Sequence, residues 1–69
     1  MQIRLNGEPF ELPERAGEAT LGDLVQAVGL TGRRLAVEVN GELVPRSQHP
    51  VFPLVAGDRV EIVQAIGGG

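Results

Sequence analysis

The sequence predicts a small α+β domain, a mixed sheet of four to five strands with one helix packed across one face. Three observations predict it. Apolar residues alternate with polar ones in several short runs, the period of a half-buried strand. One segment alone carries the i, i+3, i+4, i+7 spacing of an amphipathic helix. Two Asn-Gly pairs stand between strand-like runs, the strongest short-range hairpin signal.

Met1, Ile3 and Leu5 alternate with Gln2 and Arg4 in the first strand. Asn6-Gly7 turns the chain, and Phe10 and Leu12 alternate with Pro9 and Glu11 in the second. Pro9 and Pro13 confine that strand to a sheet edge, because proline has no N–H for a ladder. Thr20 with Asp23 three residues on resembles a capping box, with Asp in the usual Glu or Gln position. Leu21, Leu24, Val25 and Val28 then share one helical face, and Gly29 suits the left-handed residue that ends a helix. The helix spans about residues 21–28. It is too short to stand alone in water, so its apolar stripe must pack on the sheet. Leu35, Val37 and Val39 form a third strand, Asn40-Gly41 a second hairpin turn, and Glu42-Leu43-Val44 a short return strand stopped by Pro45. Residues 45–53 hold three prolines and read as an extended loop. Ala56-Gly57-Asp58 is a turn. Val60 and Ile62 alternate with Arg59 and Glu61 in a last strand that extends to about Ala65. That strand is expected to enter the middle of the sheet beside the first. A parallel pairing there, with a right-handed crossover, gives a β-grasp arrangement. The expected organisation is one domain over residues 1–66 and a flexible glycine tail at 67–69.

Composition narrows the function. The chain has 69 residues, 42% hydrophobic, with no cysteine, tyrosine or tryptophan, and all six of its cations are arginine. No disulfide or Cys/His metal set is available to staple it, so a modest apolar core carries the fold. One histidine and nine carboxylates are a poor supply of nucleophiles and tuned bases, which argues against an enzyme. The net charge of −3, with scattered arginines and only Phe10 and Phe52 as aromatics, argues against nucleic acid as a partner. No apolar run approaches the roughly 20 residues that span a bilayer. The alternating N-terminus is unlike a signal peptide. The expected location is cytoplasmic, with no membrane partner.

Gly67-Gly68-Gly69 is the feature that carries chemistry. Taken alone, glycines at the end of a chain are most often a frayed end. Yet glycine has no Cβ, so its backbone approaches another surface closely. Three residues extend at most about 10 Å. Such a tail threads a narrow channel that any side chain would block, and presents a terminal carboxylate to a distant active site. A carboxylate is inert until activated. The pattern describes a substrate handle, not a catalyst.

The opening Met1-Gln2-Ile3-Arg4-Leu5-Asn6-Gly7, the segment Val37-Glu38-Val39-Asn40-Gly41 with Val44-Pro45-Arg46, Gly57-Asp58-Arg59-Val60-Glu61-Ile62, and Gln64-Ala65-Ile66-Gly67-Gly68-Gly69 together resemble the ubiquitin-like sulfur carriers. Within that MoaD/ThiS group the resemblance is nearest to the ThiS family of the thiamine pathway, and it covers almost the whole chain. It implies that an E1-like adenylating enzyme of the ThiF type uses ATP to convert the carboxylate of Gly69 to an acyl adenylate. Sulfur from a donor such as a cysteine desulfurase then replaces AMP to give a thiocarboxylate. A thiazole synthase of the ThiG type takes that sulfur into the thiazole of thiamine. Gly67 and Gly68 are the access tail, and the chain itself binds no cofactor. Three glycines instead of two depart from the barest pattern but leave the modified residue last. A carrier for molybdopterin or tRNA thiolation is the first alternative. The molybdopterin relatives carry a proline-containing approach that Gln64-Ala65-Ile66 lacks. A ubiquitin-type covalent modifier is the alternative of a different class.

Other residues weigh less. His49 is a lone histidine in a Pro-rich loop, and such a residue is most often solvated. Ser47 lacks the setting of a hydrolase nucleophile. Asp58 reads as a turn-former, and Arg33-Arg34 as a solvated edge. Val63, sharing a face with Arg59 and Glu61, and Ile66 are candidate exposed apolar residues that touch the adenylating enzyme.

Overall fold

The computed structural model describes residues 1–13 and 17–65. Five strands and one helix follow in the order β1 (Gln2–Leu5), β2 (Glu8–Glu11), α1 (Leu21–Ala27), β3 (Leu35–Val39), β4 (Glu42–Val44) and β5 (Arg59–Gln64). The strands form one sheet in the order β2-β1-β5-β3-β4. The β1–β5 pair is parallel and the other three pairs are antiparallel. This is the expected mixed sheet with the last strand central, and β2 lies at an edge, where Pro9 costs no ladder bond.

Both hairpins turn on Asn-Gly. Asn6 and Gly7 have φ of 50° and 83°, and Asn40 and Gly41 have 52° and 86°. Two consecutive positive φ values make the type I′ turn, whose twist matches that of the strands it joins. The turns set the register, with Leu5 opposite Glu8 and Val39 opposite Glu42. Ile3, Val37, Val39, Val44, Val60 and Ile62 then all point to one face. There they meet Leu21 and Leu24 of α1, with Leu12 and Leu54 sealing the sides.

The helix is held at both ends. Thr20 Oγ1 accepts from the Asp23 N–H at 3.2 Å, and Asp23 Oδ2 accepts from the Thr20 N–H at 2.8 Å, so Asp completes the capping box. At the far end the Leu30 N–H donates to the Val25 carbonyl and the Gly29 N–H to that of Gln26, around Gly29 at φ 75°. These two bonds form the Schellman motif.

Residues 45–53 differ from the extended loop expected. They contain a 3₁₀ turn at Arg46–Gln48 and an antiparallel bridge between Thr20 and Pro53. The cause is the helix N-terminus, whose first N–H groups have no partner within the helix. The Leu21 N–H donates to the Phe52 carbonyl at 2.8 Å and the Gly22 N–H to that of His49 at 2.7 Å. This close approach needs glycine at position 22, where a Cβ would lie 3.1 Å from Pro50 Cα and 3.3 Å from the His49 oxygen. His49 is accordingly not the solvated residue expected. It is 8% exposed, and its Nε2 lies 3.1 Å from the Val44 carbonyl oxygen.

Leu24→Ala is expected to lower unfolding free energy by about 2–5 kcal/mol, the usual cost of emptying a buried leucine site. Thr20→Ala should lower it by about 1 kcal/mol through loss of the cap. Urea titration followed by circular dichroism reads both, and a Leu24→Ala loss below that of Thr20→Ala would contradict this account of the core.

Candidate functional site

The site is assembled around β5, which leads toward the glycine tail. Residues 59–64 alternate in burial, with Val60 and Ile62 in the core and Arg59, Glu61 and Val63 on the open face. Antiparallel pairing with β3 runs the whole length, from Val39 opposite Val60 to Leu35 opposite Gln64. The Ala65 N–H continues it to the Arg34 carbonyl at 2.9 Å.

On its other edge β5 pairs with β1 over a shorter stretch, Arg4 with Arg59 and Leu5 with Val60. Beyond that, β1 turns away at Asn6. The Asn6 side chain takes over the ladder. Its Oδ1 accepts from the Ile62 N–H at 2.8 Å, and its Nδ2 donates to the Ile62 carbonyl at 3.3 Å. Asn40, in the other hairpin turn, grips the start of the strand. Its Oδ1 accepts from the Arg59 N–H at 2.9 Å and its Nδ2 donates to Asp58 Oδ1 at 3.0 Å. Asp58 is buried, and its Oδ2 accepts from the Val55 N–H, which makes it the turn-former expected. Asn6 and Asn40 were legible only as turn residues. Their second role rests on contacts across 56 and 19 residues, which no local pattern signals.

Among the predicted site residues, Val63 is described. It is 64% exposed on the open face, as expected. Ile66, Gly67, Gly68 and Gly69 lie outside the described residues. Val63 stands directly opposite Ala36 on β3. Leu43, 69% exposed on β4, faces Glu38 on the same side of the sheet. Leu43 was missed as an exposed apolar residue of this face. Its signal was the alternation with Val44, since a buried Val44 turns its neighbour outward. The open face next to the end of β5 therefore carries Val63 and Ala36, with Leu43 one row back on the outer side of Glu38.

The Val44 carbonyl only accepts, so His49 Nε2 is occupied as a donor. No group of three metal-ligating side chains occurs among the described residues, and no described helix is long and apolar enough to cross a membrane. A concavity of about 700 Å³ beside α1 is lined in part by Gln26, Leu30, Arg33, Arg46 and His49.

A family model described as ThiS matches residues 3–69. The chain belongs to the ThiS family. A ThiS crystal structure from Geobacter metallireducens, described as a thiamine biosynthesis protein, superposes with a TM-score of 0.79 at 28% identity over all of both chains. The mixed sheet of five strands with one helix described above is the β-grasp architecture of that family. An uncharacterized ycf40 protein of Porphyra purpurea is 32% identical over the whole chain and 93% of its own length. A protein of Paramagnetospirillum magneticum named thiazole synthase is 40% identical over the whole chain, which spans 20% of that protein's length.

Asn6→Ala is expected to speed amide hydrogen exchange at Ile62 at least tenfold, a loss of about 1.4 kcal/mol or more, within the cost of leaving buried backbone groups without partners. Exchange at Ile62 unchanged from the parent protein would show that the side chain does not hold this strand.

Proposed function

We propose that this chain carries sulfur as a thiocarboxylate on the carboxyl group of Gly69 and delivers it to thiazole formation. The observation that carries the proposal is the family match, which runs through residue 69 and takes in the whole glycine segment. An adenylating enzyme of the ThiF type joins the Gly69 carboxylate to the AMP part of ATP, and pyrophosphate leaves. A sulfide equivalent from a donor such as a cysteine desulfurase adds to the acyl carbon. AMP departs with the electron pair of the C–O bond, and the thiocarboxylate remains.

The chain's own contribution is mechanical. β5 is hydrogen-bonded on both edges, so it is a firm base from which the glycine segment is presented. Gly69 lies six positions beyond Val63, an extended reach of at most about 20 Å. A partner that covers Val63 can therefore receive Gly69 in a pocket about that far away. Gly67 and Gly68 bring no side chain into the passage. The chain has no cysteine to attack the activated acyl group and no lysine to capture it.

A thiazole synthase of the ThiG type is the recipient in this proposal. The protein of that name contains a stretch matching this entire chain. Joining a donor and a recipient in one polypeptide raises their effective concentration without new contacts, which supports the pairing.

Incubation with the adenylating enzyme, ATP and a sulfur donor should raise the intact mass by about 16 Da, the exchange of one oxygen for one sulfur on the terminal carboxyl. Conjugates to other proteins in place of that species would instead indicate a covalent modifier. Deleting Gly69 should abolish the mass shift and leave the thermal midpoint unchanged. Gly68→Val should block activation by filling the passage, and full activation of that variant would refute the threading argument.

A further inference from the structure

The concavity beside α1 is cationic at the end of the sheet that β5 runs toward. β3 begins at that end, because Leu35 stands opposite Gln64. Arg33 lies two residues before Leu35. Arg46 lies two residues beyond Val44, which stands opposite Val37, so β4 delivers it to the same end of β3. Both arginines line the concavity, and the half-buried Leu30 and Leu35 give it an apolar wall. Neither arginine has an ion-pair partner among the described residues, where the one ion pair joins the Met1 ammonium to Glu11 at 2.9 Å. The carboxylates on the wall, Glu18 and Asp23, stand at the other end, by the start of α1, and Asp23 is engaged in the cap.

The end of β5 is within reach of this cationic end. The Ala65 N–H donates to the Arg34 carbonyl at 2.9 Å. Four residues follow Ala65 in the sequence, an extended reach of at most about 14 Å. Neighbouring strands lie about 4.8 Å apart, and the order β5-β3-β4 puts the end of β4 two such steps from β5, about 10 Å. A carboxylate on Gly69 therefore has the length of chain to meet both Arg33 and Arg46. Continued past Gln64, the period of two places position 66 on the face of Val60 and Ile62, the face that carries α1 and the concavity.

We propose that this concavity is a resting site for the chain's own last residues, with Ile66 against Leu30 and Leu35 and the terminal carboxylate or thiocarboxylate of Gly69 between Arg33 and Arg46. The inference rests on the sulfur-carrier reading and adds to it a place for the sulfur between one partner and the next. A thiocarboxylate is an anion, and two guanidinium groups offer it charge-assisted hydrogen bonds. Glu18 and Asp23 repel the same group from the far end of the concavity, which fixes the direction in which the segment lies. The sulfur held there is screened from electrophiles in solution until a partner draws the segment out. Exposed ion pairs contribute little to stability, so the contact directs the segment without raising the thermal midpoint.

The test is Arg33→Gln with Arg46→Gln, read first by nitrogen-15 relaxation of the unmodified chain at low salt. The Gly69 amide is expected to have an order parameter above about 0.6 in the parent protein and below it in the double variant. Salt at 1 M, where the Debye length is about 3 Å, should loosen Gly69 in the parent in the same way. Arg4→Gln with Arg59→Gln makes the same change of charge at the opposite end of β5 and should leave Gly69 as restrained as in the parent. In the thiocarboxylate form, alkylation by iodoacetamide, in which an S–C bond forms and iodide leaves, should run about threefold faster in the Arg33 and Arg46 variant. The same order at Gly69 in the parent and that variant would overturn the resting site, whether or not the 16 Da shift is seen. Inorganic phosphate that moves the Arg33 and Arg46 side-chain resonances while Gly69 keeps its motion would assign the concavity to a free anion and overturn it as well. The salt arm uses the parent alone, so it decides the matter even where the variant is less stable. A restrained Gly69 in a parent that never acquires the 16 Da shift would overturn the carrier reading and leave the contact standing.

Discussion

The pairing of β5 between β1 and β3 is the constraint on which the rest of the molecule depends. Val60 and Ile62 supply the middle of the core, and without them the β1–β2 and β3–β4 hairpins have no common partner. An isolated two-stranded hairpin is marginal in water. The contacts that tie β5 to the first hairpin link residues more than fifty positions apart, as between Arg4 and Arg59. Loop-closure entropy must be overcome before such contacts form. The sheet is therefore cooperative by construction, each hairpin ordered by the strand that arrives last.

Side-chain amides extend that constraint beyond the reach of the backbone. β1 is too short to cover all of β5, and the Asn6 side chain supplies the ladder bonds that β1 does not. Asn40 does the same at the opposite end and ties Asp58 into the turn. Both residues sit where a left-handed backbone is needed, and asparagine tolerates that conformation while keeping a donor and an acceptor to offer. One residue type thus meets two demands at each hairpin, the turn and the clamp.

Legibility in the sequence followed the range of the interactions. The type I′ turns, the capping box at Thr20 and Asp23, the glycine stop at Gly29 and the strand alternation are local physics, and each stands where it was expected. The central place of the last strand was legible through topology, because a parallel partner for β1 had to come from the far end of the chain. His49 was misread because its burial depends on a loop that folds back to cap α1, and nothing within a few residues of it signals that. Of the candidate site, Val63 was legible from period two alone. The opposition of Glu38 with Glu61, and of Arg4 with Arg59, required the register between strands, which no single strand contains.

The central position of β5 has a consequence for damaged or unfinished chains. A polypeptide broken anywhere before Arg59 loses the strand that closes the sheet, and with it the buried surface that resists proteases. Such a fragment leaves the two hairpins without their common partner, whereas a break after Gln64 removes no described strand. The folded state thus reports that the last strand has been made.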